Sequence, residues 1–322
     1  MPERHADRRA KIVLLILLAL ALVSVAAFLT LGAKGSWAFV LKFRGVKLFS
    51  LLLVAYAIAV STILFQTVTN NRILTPSVMG FDSLYVLVQT VLFFTIGSGA
   101  VAMLDPQVKF LAEATLLVVF SAALYRWLFV GAERSLHLLV LVGIVFGVLF
   151  RSLSSFMQRV LDPNEFAVLQ DTLFASFNTI DPTLLTVSTV IVALATVVGF
   201  RLMHALDVLS LGRPTAISLG VDYKRTVTLL LIVVSVLVAV STALVGPVLF
   251  FGLLVAALAH YLVANDRHAY VLPAAILVAI VCLVGGQVVL ERIFSFDTAL
   301  SIIIEFLGGI VFISLILKRG AR

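Results

Sequence analysis

Ten apolar runs, most of them about as long as a bilayer's hydrocarbon core is thick, constrain this chain more than any other feature. A helix rises about 1.5 Å per residue, so roughly 20 apolar residues cross a ~30 Å core. On that rule the candidate spans fall near 12–32, 46–66, 81–98, 108–128, 137–158, 184–204, 226–246, 249–263, 271–290 and 299–317. Composition agrees. Of the 322 residues, 62% are hydrophobic and only 12% charged, where soluble domains sit near about 45–50% and 25%. The connections between runs are too short to hold a soluble domain. The expected fold is all-α: a polytopic membrane protein of about ten transmembrane helices, one domain over 1–322 with residues 1–11 as a tail. The first run follows MPERHADRRAK and exceeds a signal-peptide core in length, so it is read as a retained helix.

Lysine and arginine set the expected orientation. Ten spans put both termini on one side. The segments on that side, including Arg4–Lys11, Arg134, Arg201–Arg225 and Lys318–Arg322, hold the larger share of the 23 basic residues. Both termini are therefore expected inside the cell. The net charge of +7 follows from this bias; a nucleic-acid partner would require a basic stripe with stacking aromatics, which is missing. On the other side Lys34 stands near a cluster of Lys42, Arg44 and Lys47. That cluster breaks the rule and is expected to have a task of its own.

The chemistry-bearing residues are sparse. The P-loop pattern of Gly, four residues and Gly-Lys-Ser/Thr occurs nowhere, and GAKGS at 32–36 does not fit it. Any ATP-driven role thus needs a separate ATPase chain. The five histidines are isolated, no metal-ligand spacing or cofactor motif is present, and the lone Cys282 lies in an apolar run. Three ionisable residues fall inside runs: Glu113, Arg151 and Glu305. A charge at mid-span costs on the order of 2.5–3.5 kcal/mol on insertion scales, so each needs a partner or a polar path. Glu113 and Glu305 leave open a proton-coupled secondary transporter, although a structural hydrogen bond is the plainer reading of either.

Two stretches interrupt the apolar pattern. Residues 66–81, QTVTNNRILTPSVMGF, carry Asn71, Pro76 and Gly80, which break helix continuity where the second run meets the inner surface. Residues 205–225 form a compact polar loop, ALDVLSLGRPTAISLGVDYKR, between two long runs. There Gly212 and Pro214 interrupt one helix, Gly220 ends the next, and Asp222, Lys224 and Arg225 give a polar rim. Among the small residues, Gly143 and Gly147 make a small-xxx-small pair suited to close packing.

These stretches, with GPVLFFGLL at 246–254 and FLGGIVFISLILK at 306–318, resemble the permease subunits of iron–siderophore and cobalamin ABC importers, of the type II importer fold. The resemblance runs through nearly the whole chain in order. The family's second span ends in Gln, four residues, then Asn-Pro-Leu-Ala-x-Pro-x-x-Leu-Gly. Gln66, Asn71, Pro76 and Gly80 match in register, while Arg72 and Leu74 replace the usual Pro and Ala. The resemblance implies a cytoplasmic gate at Asn71 and Ile73. It implies an ATPase-coupling loop with Gly212, Arg213, Pro214, Ala216, Leu219 and Gly220. It places Arg44 and Lys47 where relatives meet carboxylates of an extracytoplasmic binding protein. The usual Pro-His pair after the eighth span's Gly-Leu is Ala256-Ala257 here, and the proline usual after Leu-Gly in the tenth span is Ile310. These departures resemble the branch whose permease pairs with a second, different permease, and they point to a ferric siderophore over cobalamin. The implied assembly is thus a bacterial inner-membrane importer with two ATPase copies, a second permease subunit, a siderophore-binding protein, and neither cofactor nor resident metal.

Overall fold

Thirteen α-helices and one 3₁₀ turn make up the described chain, which in this computed structural model comprises residues 2–32, 36–129, 136–178, 180–295 and 298–320. Lys34, Arg134 and Arg322 of the charge pattern lie outside those residues. In order the helices are α1 (Pro2–Thr30), α2 (Trp37–Thr69), the 3₁₀ turn (Pro76–Met79), α3 (Phe81–Met103), α4 (Pro106–Phe129), α5 (Leu136–Val160), α6 (Pro163–Leu173) and α7 (Pro182–Arg201). Then come α8 (Met203–Leu209), α9 (Arg213–Ser218), α10 (Tyr223–Val245), α11 (Phe251–Val263), α12 (His268–Arg292) and α13 (Leu300–Gly320). Residues 1–11, expected as a tail, are largely the helical start of α1.

Among the described residues, eight helices are long and apolar enough to cross a bilayer: α1 to α5, α7, α10 and α12. With the shorter apolar helices α11 and α13 they agree with the expected fold of about ten spans. Helix α11 has 13 residues, about 20 Å at 1.5 Å per residue and well short of the hydrocarbon core. Helix α13 runs 21 residues, Leu300–Gly320. The cause at α11 is Gly246-Pro247: Gly246 takes φ 95°, and proline cannot donate to the preceding turn, so helix resumes only at Phe251.

Local sequence opens and closes the elements. Three Asp-Pro pairs start helices, proline filling the first turn where no amide partner is needed. Asp105 accepts from Gln107 N at 2.7 Å, Asp162 from Asn164 N at 2.9 Å and Asp181 from Thr183 N at 2.6 Å. The Thr183 amide, helped by the Thr183 hydroxyl and the Leu184 amide, holds the Asp181 carboxyl below the usual carboxylate range. Helix α2 ends on Asn70 in the left-handed conformation, φ 49°, which asparagine tolerates better than most side chains.

Helices α2, α10 and α12 form the enclosed centre. Helix α10 packs against α2, α4 and α7; α12 packs against α1, α2 and α11. Helix α3 lies on α5 and α6, and α13 rests on α11 and α12. The chain's turns gather at two ends. Arg72 meets Asp266 at 2.8 Å, Asn265 meets Asp7 at 3.2 Å, and His268 meets Asp207, so residues 70–75, 203–222 and 264–268 share one end. Residues 28–32, 36–47, 174–178 and 290–295 share the other, where Lys47 meets Glu291 and Ser176 N donates to Val245 O at 2.8 Å.

The segment between α2 and α3 does not stay at the surface. Met79 is fully buried, and Met79 and Gly80 press against the backbone of α5 at Gly143 and Gly147. A Cβ on Gly143 would stand 2.8 Å from Met79 Cα, so the small-xxx-small pair admits a broken backbone rather than a helix ridge. Replacing Gly143 by Leu should cost about 1–3 kcal/mol through overpacking and lower the thermal unfolding midpoint in detergent. Gly99→Ala, where the added methyl meets nothing within 4 Å, should leave that midpoint unchanged or raise it slightly.

Candidate functional site

The end that carries residues 203–225 has its own construction. Helix α8 runs from Met203 to Leu209, Gly212 turns the chain at φ 93°, α9 makes under two turns, and Gly220 closes it at φ 84°. Both glycines occupy backbone conformations that side chains disfavour. Ala216 is wholly buried; its amide donates to Gly212 O at 3.0 Å and its carbonyl accepts from Val221 N at 3.1 Å. The guanidinium of Arg213 lies 5.7 Å from the centroid of the Tyr223 ring, and Asp222 caps α10 through Arg225 N at 3.1 Å. With Ala216 turned inward, Leu211, Ile217 and Leu219 are left 59%, 51% and 61% exposed. Three large apolar side chains thus stand exposed on a short polar loop. Leu219 was expected there; Leu211 and Ile217 were not singled out, although both stand in the same loop.

The break after α2 lies beside this loop. The amide of Asn71 donates to Gln66 O at 3.1 Å, and its side-chain carbonyl accepts from Ile73 N at 3.0 Å, an Asx turn. Gln66 Nε2 donates to Arg72 O at 2.7 Å. Ile73 is 68% exposed, projecting from a backbone that is otherwise well tied. Contact between the two regions is direct: a Cβ on Gly212 would stand 3.9 Å from Asn70 Nδ2.

A second link was not anticipated from the histidines taken singly. Asp207 of α8 accepts from the His268 backbone amide at 2.9 Å and meets its Nδ1 at 2.5 Å, while His268 Nε2 meets the Thr67 hydroxyl at 2.7 Å. The chain of contacts joins the loop, the start of α12 and the last turn of α2. Burial opposes the Asp207 charge, but the His268 amide and ring and the Arg267 charge outweigh it and hold the carboxyl below its usual value. Only the proximity of positions 67, 207 and 268 would have revealed this, and sequence spacing does not carry it.

At the opposite end, Arg44 Nη1 donates to the carbonyls of Phe28 at 2.6 Å and Leu31 at 2.9 Å, closing the last turn of α1. Arg292 also donates to Leu31 O. Lys47 pairs with Glu291 at 2.5 Å, the two side chains being 12% and 11% exposed. The basic cluster expected to face outward thus spends much of its charge within the chain. Of the two carboxylates considered for proton coupling, Glu113 accepts from Gln89 Nε2 at 2.6 Å and lies 3.9 Å from Lys109. Glu305 is half-buried on α13, and Arg151 is exposed on α5.

A bundle of long apolar helices with backbone breaks among them has the composition and dimensions of a polytopic membrane protein. A profile of the FecCD transport family matches residues 11–318, and the chain belongs to that family. It is 48% identical over 310 residues to the petrobactin import system permease protein YclO of Bacillus subtilis strain 168, covering 96% of this chain and 98% of that one. It is 36% identical to FatC of Bacillus anthracis, a petrobactin import system permease, over 99% and 92% of the two chains. It is 24% identical to that organism's FatD, of the same description, over 84% and 78%. A solved structure of a metal-chelate type ABC transporter in an inward-facing conformation superposes with a TM-score of 0.81 at 22% identity, covering 96% of this chain and 99% of that one, which shows the same fold.

Two measurements check this geometry. Breaking the Lys47–Glu291 pair by Lys47→Ala should cost about 3–5 kcal/mol by stranding a buried charge. Lys47→Met with Glu291→Leu should recover most of that loss in the thermal midpoint. For Asp207 the lowered carboxyl value means its contribution is complete at neutral pH and lost as acid protonates it, from about pH 5 downward. Asp207→Asn should therefore flatten the acid limb of the thermal-stability profile.

Proposed function

We propose that this chain is one permease subunit of an ABC importer that carries a ferric siderophore across the bacterial inner membrane by alternating access. Its relatives are permeases of petrobactin import systems, which makes petrobactin the first cargo to test. The observation that carries the reading is the docking loop. An exposed apolar patch of Leu211, Ile217 and Leu219 rests on α8 and α9 and is hydrogen-bonded through Asp207, His268 and Thr67 to the helix that ends at the gate.

In this reading the 203–225 end faces the cytoplasm, and both termini with it. Each of two ATPase subunits grips one such loop. Gly212, Arg213, Pro214, Ala216, Leu219 and Gly220 transmit its displacement, and α8 and α12 pass it to the last turn of α2 and so to Asn71 and Ile73. A second permease subunit completes the path. The presence of two different petrobactin permeases in one organism, FatC and FatD, supports a heterodimer. So does the exposed Arg151 on a spanning helix, because a charge facing lipid at that depth is costly and one facing a partner or a watery path is not. The binding protein docks at the opposite end near Arg44 and Lys47, by exchanging some of their intrachain partners for its carboxylates. A proton-driven carrier finds no support in Glu113, whose carboxylate is already held by Gln89 and Lys109.

The test is uptake of radioactive iron supplied as ferric petrobactin, in cells expressing this chain together with a second permease, an ATPase and a binding protein of a petrobactin import system. Leu219→Asp or Ile217→Asp should lower uptake at least about tenfold while the protein still reaches the membrane at normal levels, since a charge in an apolar docking surface costs more than the ~1.4 kcal/mol that a tenfold change represents. Normal uptake in both variants would remove the coupling assignment. Uptake that collapses with the proton gradient but ignores ATP depletion would remove the importer class.

A further inference from the structure

The two backbone breaks, 70–80 and 246–250, meet each other inside the bundle, and a small chamber lies between them. Its volume is about 20 Å³, and it is bounded by α2, the 3₁₀ turn, α3, α10 and the start of α11. The hydroxyls of Ser61, Thr62, Thr75, Ser77, Ser241 and Thr242 line it, together with the carboxylate of Asp82. Asp82 is 5% exposed, and its Oδ2 has no hydrogen-bond partner in the protein. The other charges that act on it are Arg151 of α5 and Glu305 of α13, neither of which borders the chamber. Ser77 hydrogen-bonds the carboxyl group, but a buried polar oxygen left without a partner of its own is costly. Something that the chain does not itself supply belongs against that oxygen.

We propose that Asp82 and the surrounding hydroxyls form a seat for one partly dehydrated monovalent cation of sodium size. Four features select that ligand. Every side-chain donor in the lining is an oxygen, which suits a hard cation and excludes the softer transition metals. One carboxylate in the lining balances one positive charge, so a divalent ion would be left half-neutralised. The volume is that of about one water molecule, which fits sodium and is tight for potassium. The last turn of α10 borders the chamber at Thr242 and Gly246, bringing the negative end of a helix to the same place, while the N-terminal turn of α3, where Asp82 sits, favours negative charge there. Broken helices of this kind supply cation sites elsewhere in membrane transport proteins. Here the ion ties the segment that follows the gate to the break between α10 and α11.

The site can be read without transport, so its failure and that of the proposed importer are separable. The permease is purified in its complex, and binding of radioactive sodium is measured at constant ionic strength with choline as the replacement cation. Thermal unfolding is followed in sodium, potassium and choline chlorides. The expected result is saturable sodium binding and a rise in the unfolding midpoint in sodium over potassium and choline. Asp82→Asn should abolish both. Thr62→Val and Thr242→Val, close in shape to threonine, should weaken sodium binding about tenfold each by removing one oxygen, and they keep the test decisive if Asp82→Asn does not fold. Equal midpoints in all three salts, sodium binding that survives in the folded variants, or a midpoint that follows pH and ignores sodium would each overturn the proposal. The last would mean that a proton neutralises Asp82.

Discussion

Inside a bilayer no water is available to take up a backbone amide or carbonyl, so each interruption of a helix has to be covered by the protein itself. Among the described residues, helices are interrupted at three places within the bundle, and each is covered differently. At Gly97, where φ is 76° inside α3, the released amide of Ser98 is taken by the Glu165 carboxylate at 2.6 Å, with the Ser98 hydroxyl at 2.8 Å. Helix α6 thereby serves as a brace for a kink. The 76–80 turn is covered by the bare backbone of α5 at Gly143 and Gly147. At Gly246 the neighbouring chain is the 174–176 segment, whose Ser176 amide takes the last free carbonyl of α10. Remove any of these covers and the break beside it becomes an unsatisfied polar group in hydrocarbon.

From those breaks follow the shortness of α11, the depth reached by Met79 and the existence of a polar chamber between two otherwise apolar layers. They also explain why glycine is concentrated where it is. Gly80 and Gly246 adopt positive φ with backbone of a neighbouring segment 3.1–3.5 Å from where a Cβ would stand. A side chain at either would be strained by its own backbone and blocked by its neighbour. At Gly252 a Cβ would collide with the Thr62 hydroxyl, which is how α11 comes close enough to α2 to wall the chamber.

Much of this was legible in the sequence because membrane spans announce themselves by composition. The order of the long helices and the break at Asn71–Gly80 follow from apolar length and from glycine and proline. Other features depend on which helices become neighbours. Nothing in the spacing of Lys47 and Glu291, or of Thr67, Asp207 and His268, states that they touch, because their separations reflect topology and not local periodicity. The basic cluster near residue 44 shows the limit most clearly. Counting charges marks it as unusual, yet only the packed structure reveals that Arg44 closes the carbonyl end of α1 and that Lys47 is engaged by α12. Likewise the loop's polarity suggested a docking surface, while its adhesive side chains are the apolar ones that Ala216, by turning inward, leaves outside.

The two ends of the bundle are fastened by different chemistry, and the difference bears on motion. At the Arg44 end the fastenings are a half-dehydrated ion pair and guanidinium groups laid on helix carbonyls, contacts that are costly to part because each leaves a charge or a carbonyl without a partner. At the docking-loop end they are an exposed pair, Arg72 with Asp266 at 52% and 73% exposure, and a relay whose Asp207 is half in water. Water can replace the partners there at little cost. A force applied at the loop therefore meets the softer set of contacts first, next to Ile73, while α1, α2 and α12 stay clamped together at the far end. On the proposed coupling role, a bundle fastened this way would open beside Ile73 and pivot about the far end, the half of an alternating-access cycle that one permease chain would supply.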